Sequence, residues 1–277
     1  MRRMSIVLAI CVAVCIVANL TGRQRSFQRA DNLLFHALSD LTQPGDVMPT
    51  LRGGREATYA DWPATFVATY EGIPCTGTLL GPHALLTAAH CVPSGGTTMI
   101  SLQGTVYSGQ CTDYPTYPAD LSSDWAMCVM NIAVPVQTFE RVNIDNSLLT
   151  VGTEILLTGF GCTTAKGTGG DDNVYRIGEA AIDTPPSGNV IHTNGEVAIC
   201  FGDSGGPAFL YLDVSQTRRV EVAVNSEAVR DTSGQLDEES FLASLSATEA
   251  KQFLTKWMAG SGAAICGMVV GMPQCHQ

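Results

Sequence analysis

From residue 51 onward the chain is a succession of short apolar or alternating runs, at 65–69, 78–80, 85–88, 98–102, 126–132 and 154–158. Gly, Pro, Asn and Asp punctuate them. Such spacing predicts many short antiparallel strands rather than strand-helix alternation, and so an all-β sandwich or barrel. One helix is predicted near the end. Ser246-Ala247-Thr248-Glu249 has the form of a capping box, and Phe253, Leu254 and Trp257 follow at helical spacing. The stretch 259–277 is a tail rich in Gly, Ala and Met, in which Cys266 and Cys275 could close a small loop.

The N-terminus has a different pattern. Arg2 and Arg3 precede an apolar run over 6–18 and then polar residues, the layout of a secretory signal. The run is shorter than the roughly 20 residues a membrane span needs, so cleavage over 1–20 is expected, with a retained anchor as the alternative and no stable membrane insertion. Segment 21–50, with Arg23, Arg25, Arg29 and a marginal helical pattern, reads as a propeptide or as a disordered linker. About 230 residues then remain for the folded part, enough for one large domain or two small ones.

Composition narrows the classes of function. A net charge of −11, with only 15 Lys and Arg, leaves little material for a phosphate-binding surface, so nucleic acid is not an expected partner. The acidity serves solubility, or steers cationic substrates. Beyond Cys11 and Cys15 of the leader, eight cysteines remain, an even set suited to disulfides in a secreted, extracellular or periplasmic protein. They form no C-x-x-C unit and the chain has no H-E-x-x-H, so neither metal nor other cofactor is expected.

Candidate chemistry sits in three places. In Cys200-Phe201-Gly202-Asp203-Ser204-Gly205-Gly206-Pro207, glycines leave the Ser204 hydroxyl uncrowded and let backbone N–H groups approach a substrate. A serine hydroxyl needs a base within hydrogen-bond reach, and His90 in Leu86-Thr87-Ala88-Ala89-His90-Cys91 is the candidate. That base needs a buried acceptor behind it. Asp124, in Ser123-Asp124-Trp125-Ala126-Met127, opens an apolar strand suited to the role, with Asp113 and Asp120 as nearby rivals.

These three segments, in this order, resemble the signatures of trypsin/chymotrypsin-like serine peptidases. Leu51-Arg52-Gly53-Gly54 resembles the family's mature N-terminus, and Gly159-Phe160-Gly161 its Gly-aromatic-Gly turn. The resemblance implies a peptidase domain over 51–258, built of two antiparallel six-stranded β-barrels with a C-terminal helix. It also implies endopeptidase activity on protein or peptide substrates through Ser204, His90 and Asp124. The N–H groups of Gly202 and Ser204 would form the oxyanion hole. Cleavage before Leu51 would free an ammonium to pair with Asp203, and since Thr50 rather than a basic residue precedes it, an activating protease of another specificity or an autocatalytic cut is implied.

The pocket floor maps to Ala198, which predicts a preference for uncharged side chains, unless Glu227 restores a negative charge at the pocket wall. The family's Ser-Trp-Gly wall, which hydrogen-bonds the substrate backbone, is not found around Val224-Asn225-Ser226. Cys75 with Cys91 matches the bridge that braces the histidine loop, worth about 3 kcal/mol in the chain-entropy model. Cys111–Cys128, Cys162–Cys200 and Cys266–Cys275 are expected from proximity in sequence and in the family fold. Two rival readings share part of the signal. An α/β-hydrolase esterase shares G-x-S-x-G but needs a histidine after the serine, where only His276 stands. A catalytically inactive trypsin-like fold could act as a protein-binding module.

Overall fold

The computed structural model describes residues 51–276 apart from 94, 146 and 169–171, and these belong to one compact unit, 46–277. The signal and propeptide segments lie outside the described residues. Six strands, β2 (Thr65–Tyr70), β3 (Ile73–Gly81), β4 (Ala84–Thr87), β5 (Thr97–Leu102), β6 (Thr105–Asp113) and β7 (Ala126–Met130), close a barrel in the order β2-β3-β4-β7-β6-β5. β5 alternates strictly between exposed and buried positions, as a wall with one wet face must. Phe66, Leu79, Leu85, Ile100 and Met130 fill this barrel.

The second half is a seven-stranded sheet, β1-β9-β8-β11-β12-β13-β10. Its strands are β1 (Arg55–Glu56), β8 (Glu154–Gly159), β9 (Arg176–Ala181), β10 (Val190–Asn194), β11 (Pro207–Tyr211), β12 (Arg219–Arg230) and β13 (Leu236–Ser244). One bridge, Ile182 to Thr193, brings the end of β9 to β10, so six strands wrap around a core of Ile155, Leu157, Ile191, Ala208 and Val222. β1 is the additional strand, paired only to β9. The all-β architecture with a late helix is the one the sequence predicts.

The helix, α1 (Thr248–Ser261), buries Phe253, Leu254 and Trp257 in a cluster that draws Leu86 and Trp125 from the first half and Val224 and Ala243 from the second. The capping box does not form. Ala247 is the N-cap, and the Ser246 hydroxyl faces that of Ser244 at 2.9 Å instead. Among the described residues no helix is long and apolar enough to cross a membrane.

The tail beyond α1 binds the first barrel. Cys266 N–H donates to the Leu80 carbonyl (2.8 Å), and Phe139 exchanges backbone bonds with Gln274 and His276. Disulfides join Cys75–Cys91, Cys111–Cys128, Cys162–Cys200 and Cys266–Cys275, all four pairs expected from the sequence.

Between the halves runs a polar seam. Arg219 of β12 holds Glu140 through two bonds (2.6 and 3.0 Å), donates to the Asp61 carbonyl, and lies 3.7 Å over the Trp62 ring. Beside them Glu221 is fully buried, and among the described residues neither carboxylate oxygen has a hydrogen-bond partner. Burial, and then the negative charge of Glu140, push its carboxyl well above the usual carboxylate range. The folded state then binds more protons at Glu221 than the unfolded chain, so stability falls as pH rises above the ordinary carboxylate range. Glu221→Met removes this liability. Thermal melts should show the variant gaining on the parent from pH 4 to pH 8, and parallel curves would contradict the assignment.

Candidate active site

His90 lies in a single 3-10 turn, Ala89–Cys91, directly after β4. β4 is fully buried, so the chain leaves the barrel wall with the imidazole at its rim, and Cys91–Cys75 ties the turn back to β3. Asp124 stands immediately before β7, next to β4 in the sheet, which brings it beneath the turn. Its side chain is 2% exposed, against 22% for His90.

Three donors converge on Asp124. The His90 backbone N–H donates to Oδ1 at 2.9 Å, the Nδ1–H of the neutral tautomer that can donate lies 2.7 Å from Oδ2, and the Ser226 hydroxyl donates to Oδ2 at 2.7 Å. Burial alone would raise the Asp124 carboxyl, but the charge and hydrogen bond of His90 and the bond from Ser226 bring it below its ordinary value. Burial would lower His90, and the charge and hydrogen bond of Asp124, with a smaller contribution from Glu227, raise it above 6.5 instead. Asp120 is engaged with Ser122 and Ser123, so of the three candidate acids it is Asp124 that holds His90.

Ser204 comes from the second half, on the loop before β11. That loop docks on β3: Thr76 N–H donates to the Ser204 carbonyl and the Thr76 hydroxyl to the Gly202 carbonyl, both at 2.8 Å. Gly205, at φ +78°, makes the approach possible, because a Cβ there would lie 2.1 Å from Thr87 Oγ1 and 2.4 Å from the Thr76 carbonyl. Thr87 is three residues from His90. The Asn225 carboxamide completes the support, donating to the carbonyls of Thr158 (2.8 Å) and Asp203 (3.2 Å). The Ser204 hydroxyl is partly exposed and makes no hydrogen bond among the described residues.

Asp203 is fully buried. It accepts N–H bonds from Gly161 and Cys200, both 2.8 Å, yet no cation pairs with it among the described residues, and burial pushes its carboxyl up to about 7. The Gly-aromatic-Gly turn closes over it, since a Cβ at Gly159 or Gly161 would lie 2.2 or 2.5 Å from its side chain. Leu51 is also fully buried, among Leu149, Ile155, Leu157 and Ile199, and Arg52 bridges to Ala198.

The two expected pocket residues face different surroundings. Ala198 is buried; two residues further on, Cys200 joins Cys162 and Leu236 in an apolar group with Phe201 and Ala228 against it, and Arg230 lies 4.8 Å over the Phe201 ring. Glu227 is exposed. Cys75 and Cys91 lie close to His90, but their sulfurs are bonded to each other, which leaves no thiolate donor for a metal there.

Sequence reading missed Thr76, Asn225 and Ser226. Ser226 places its hydroxyl on Asp124, and Glu227 and Ala228 follow it along β12. A polar Asn225-Ser226 pair closing the apolar run 222–224 was the signal available.

A family model described as Trypsin matches residues 51–226. The brachyurin of Leptuca pugilator is 27% identical over 180 residues, covering 56% of this chain and 79% of that protein. A trypsin of Saccharopolyspora erythraea is 29% identical over 184 residues, with 56% and 79% covered. Among solved structures, human heparin binding protein (CAP37) superposes with a TM-score of 0.59 at 17% identity, covering 75% of this chain and 95% of that one. A mutant of the same protein gives 0.60 at 16% identity, with 75% and 96% covered. These structures share the fold, and the family match extends over more than half of the 277 residues: the chain belongs to the trypsin family.

Proposed function

We propose that the chain is a secreted serine endopeptidase that hydrolyses peptide bonds through Ser204, His90 and Asp124. The observation that carries the reading is Asp124, a buried carboxylate that takes both the backbone N–H and the Nδ1 side of His90 and so leaves Nε2 as the base. His90 accepts the Ser204 proton as Oγ bonds to the peptide carbonyl carbon. The N–H groups of Gly202 and Ser204 hold the oxyanion, and His90 returns the proton to the departing amine. Water then repeats the sequence on the acyl-enzyme, releasing the acid and restoring Ser204.

The chain is read as a zymogen. Cleavage at Thr50–Leu51 would supply the cation that Asp203 lacks, a new ammonium, from a residue already buried. The pocket reading follows from Ala198 and from the apolar group that begins two residues on at Cys200: neither holds a carboxylate and Arg230 lies over the Phe201 ring of that group, so an uncharged side chain suits the pocket. The second reading is a protein-binding module without catalysis, favoured by fold neighbours named for what they bind. Heparin itself does not suit this chain, since −11 repels a polyanion.

Fluorophosphonate labelling of secreted protein should tag Ser204, on a chain beginning at Leu51, and Ser204→Ala should abolish it. A correctly processed chain that takes no label would support the binding module. Asp124→Asn should lower kcat by about 10⁴, the effect known for the archetypal triad, in single-turnover assays on peptide substrate. A loss below ten-fold would remove Asp124 from the mechanism. In a positional peptide library, cleavage dominated by Arg or Lys at the scissile bond would overturn the pocket reading.

A further inference from the structure

β12 changes partners as it passes the candidate active site. It pairs with β11 only as far as Val224, and Asn225 spends its N–H and carbonyl on Gly206 and Gly205 of the Ser204 loop. β13, in contrast, follows β12 out to Arg230. Residues 226–228 therefore have one edge bonded to β13, while along the other, beside the Ser204 loop, no strand pairs with them among the described residues. An open edge of this kind takes an extended peptide by main-chain pairing, and flanking side chains select among peptides.

Alternation along the strand decides which side chains lie where. Ala228 is opposite Ser240, whose hydroxyl holds the Ile199 N–H at 3.0 Å, and Ala228 packs with Cys200 and Leu236. That face carries the Cys200 and Leu236 cluster. Glu227 is opposite Phe241 and so occupies the other face, where the Phe241 ring meets His192 (centroids 4.5 Å apart) and His192 is bound by Asp183. Glu227 is exposed, and no ion pair or hydrogen bond engages its carboxylate among the described residues. Arg230, the cation at the end of the same strand, is committed to the Phe201 ring and the Gly234 carbonyl.

We propose that Glu227 is a specificity-determining residue of a second subsite, distinct from the Ala198 pocket, that binds a lysine or arginine side chain in the half of the substrate paired along β12. The inference rests on the peptidase reading of the cleft and adds a substrate class to it: peptides with an uncharged residue at the cleaved bond and a basic one close by. The position of Glu227 relative to the cleavage machinery supports it. Glu227 directly follows Ser226, whose hydroxyl bonds Asp124, and its charge helps to raise both His90 and Tyr117.

Two arms of one experiment keep the subsite and the peptidase reading separate. Hexapeptide series carry Lys, Ala or Glu at each of three positions on either side of an uncharged residue. Hydrolysis is measured with the parent chain and Glu227→Gln, and binding by fluorescence anisotropy with Ser204→Ala and with Ser204→Ala/Glu227→Gln. The proposal expects one position, on one side only, where Lys exceeds Ala by about five-fold in kcat/KM and in affinity. The preference should weaken in 0.5 M salt and vanish with Glu227→Gln. A Lys/Ala ratio near one at every position, or one that survives Glu227→Gln, overturns the subsite. Lys preference in binding without any hydrolysis by a parent chain processed to Leu51 would retain the subsite and overturn the peptidase reading.

Discussion

A carboxylate that stays ionised inside an apolar protein costs several kcal/mol unless donors surround it, and Asp124 is the place where this chain meets that requirement. Its oxygens face the His90 N–H, the His90 ring and the Ser226 hydroxyl, with Trp125 fully buried beside it. His90 belongs to the first barrel and Ser226 to the second half. Two donors thus come from Asp124's own half, and the third, the Ser226 hydroxyl, arrives only when the two halves are docked in the arrangement that sets the Ser204 loop on Thr76.

Much of the remaining structure serves that docking. Arg219 and Glu140 cross the seam as a buried pair over Trp62, α1 packs against residues of both halves, and the tail closed by Cys266–Cys275 fastens to Leu80 and Phe139. The backbone does the finer placement. Gly205 lets the Ser204 loop sit where any side chain would strike Thr76 and Thr87, and Gly159 and Gly161 let the adjoining turn lie against Asp203. Among the described residues Asp203 has two N–H donors and no paired cation, and burial pushes its carboxyl up to about 7.

The strands and the helix were legible because each rests on local pattern, alternation or a 3.6 period, whereas the disulfide pairs came from the family resemblance and proximity in sequence, the even set of cysteines giving only that bridges exist. His90 and Ser204 stood out as candidates because small residues and glycines surround them, and Asp124 because it opens an apolar strand. What was not legible depended on register. A bulge between Asn225 and Glu227 shifts β12 against β13, so no count along the sequence tells which of Ser226, Glu227 and Ala228 faces Asp124, the cleft or the Ala198 side. The capping box failed for a local reason: the helix takes Ala247 as its N-cap, and the Ser246 hydroxyl lies against that of Ser244 two residues back. Thr76 was invisible because its role is to hold a loop more than 120 residues away.

The central claim is that buried, ionised Asp124 governs the charge of His90. Its most direct test is the NMR titration of the His90 imidazole in the intact protein, with Asp124→Asn as the comparison. The account predicts a midpoint above 6.5 in the parent, falling below it in Asp124→Asn, where burial acts without the compensating charge. A midpoint at or below 6.5 in the parent, unchanged by the substitution, would contradict it.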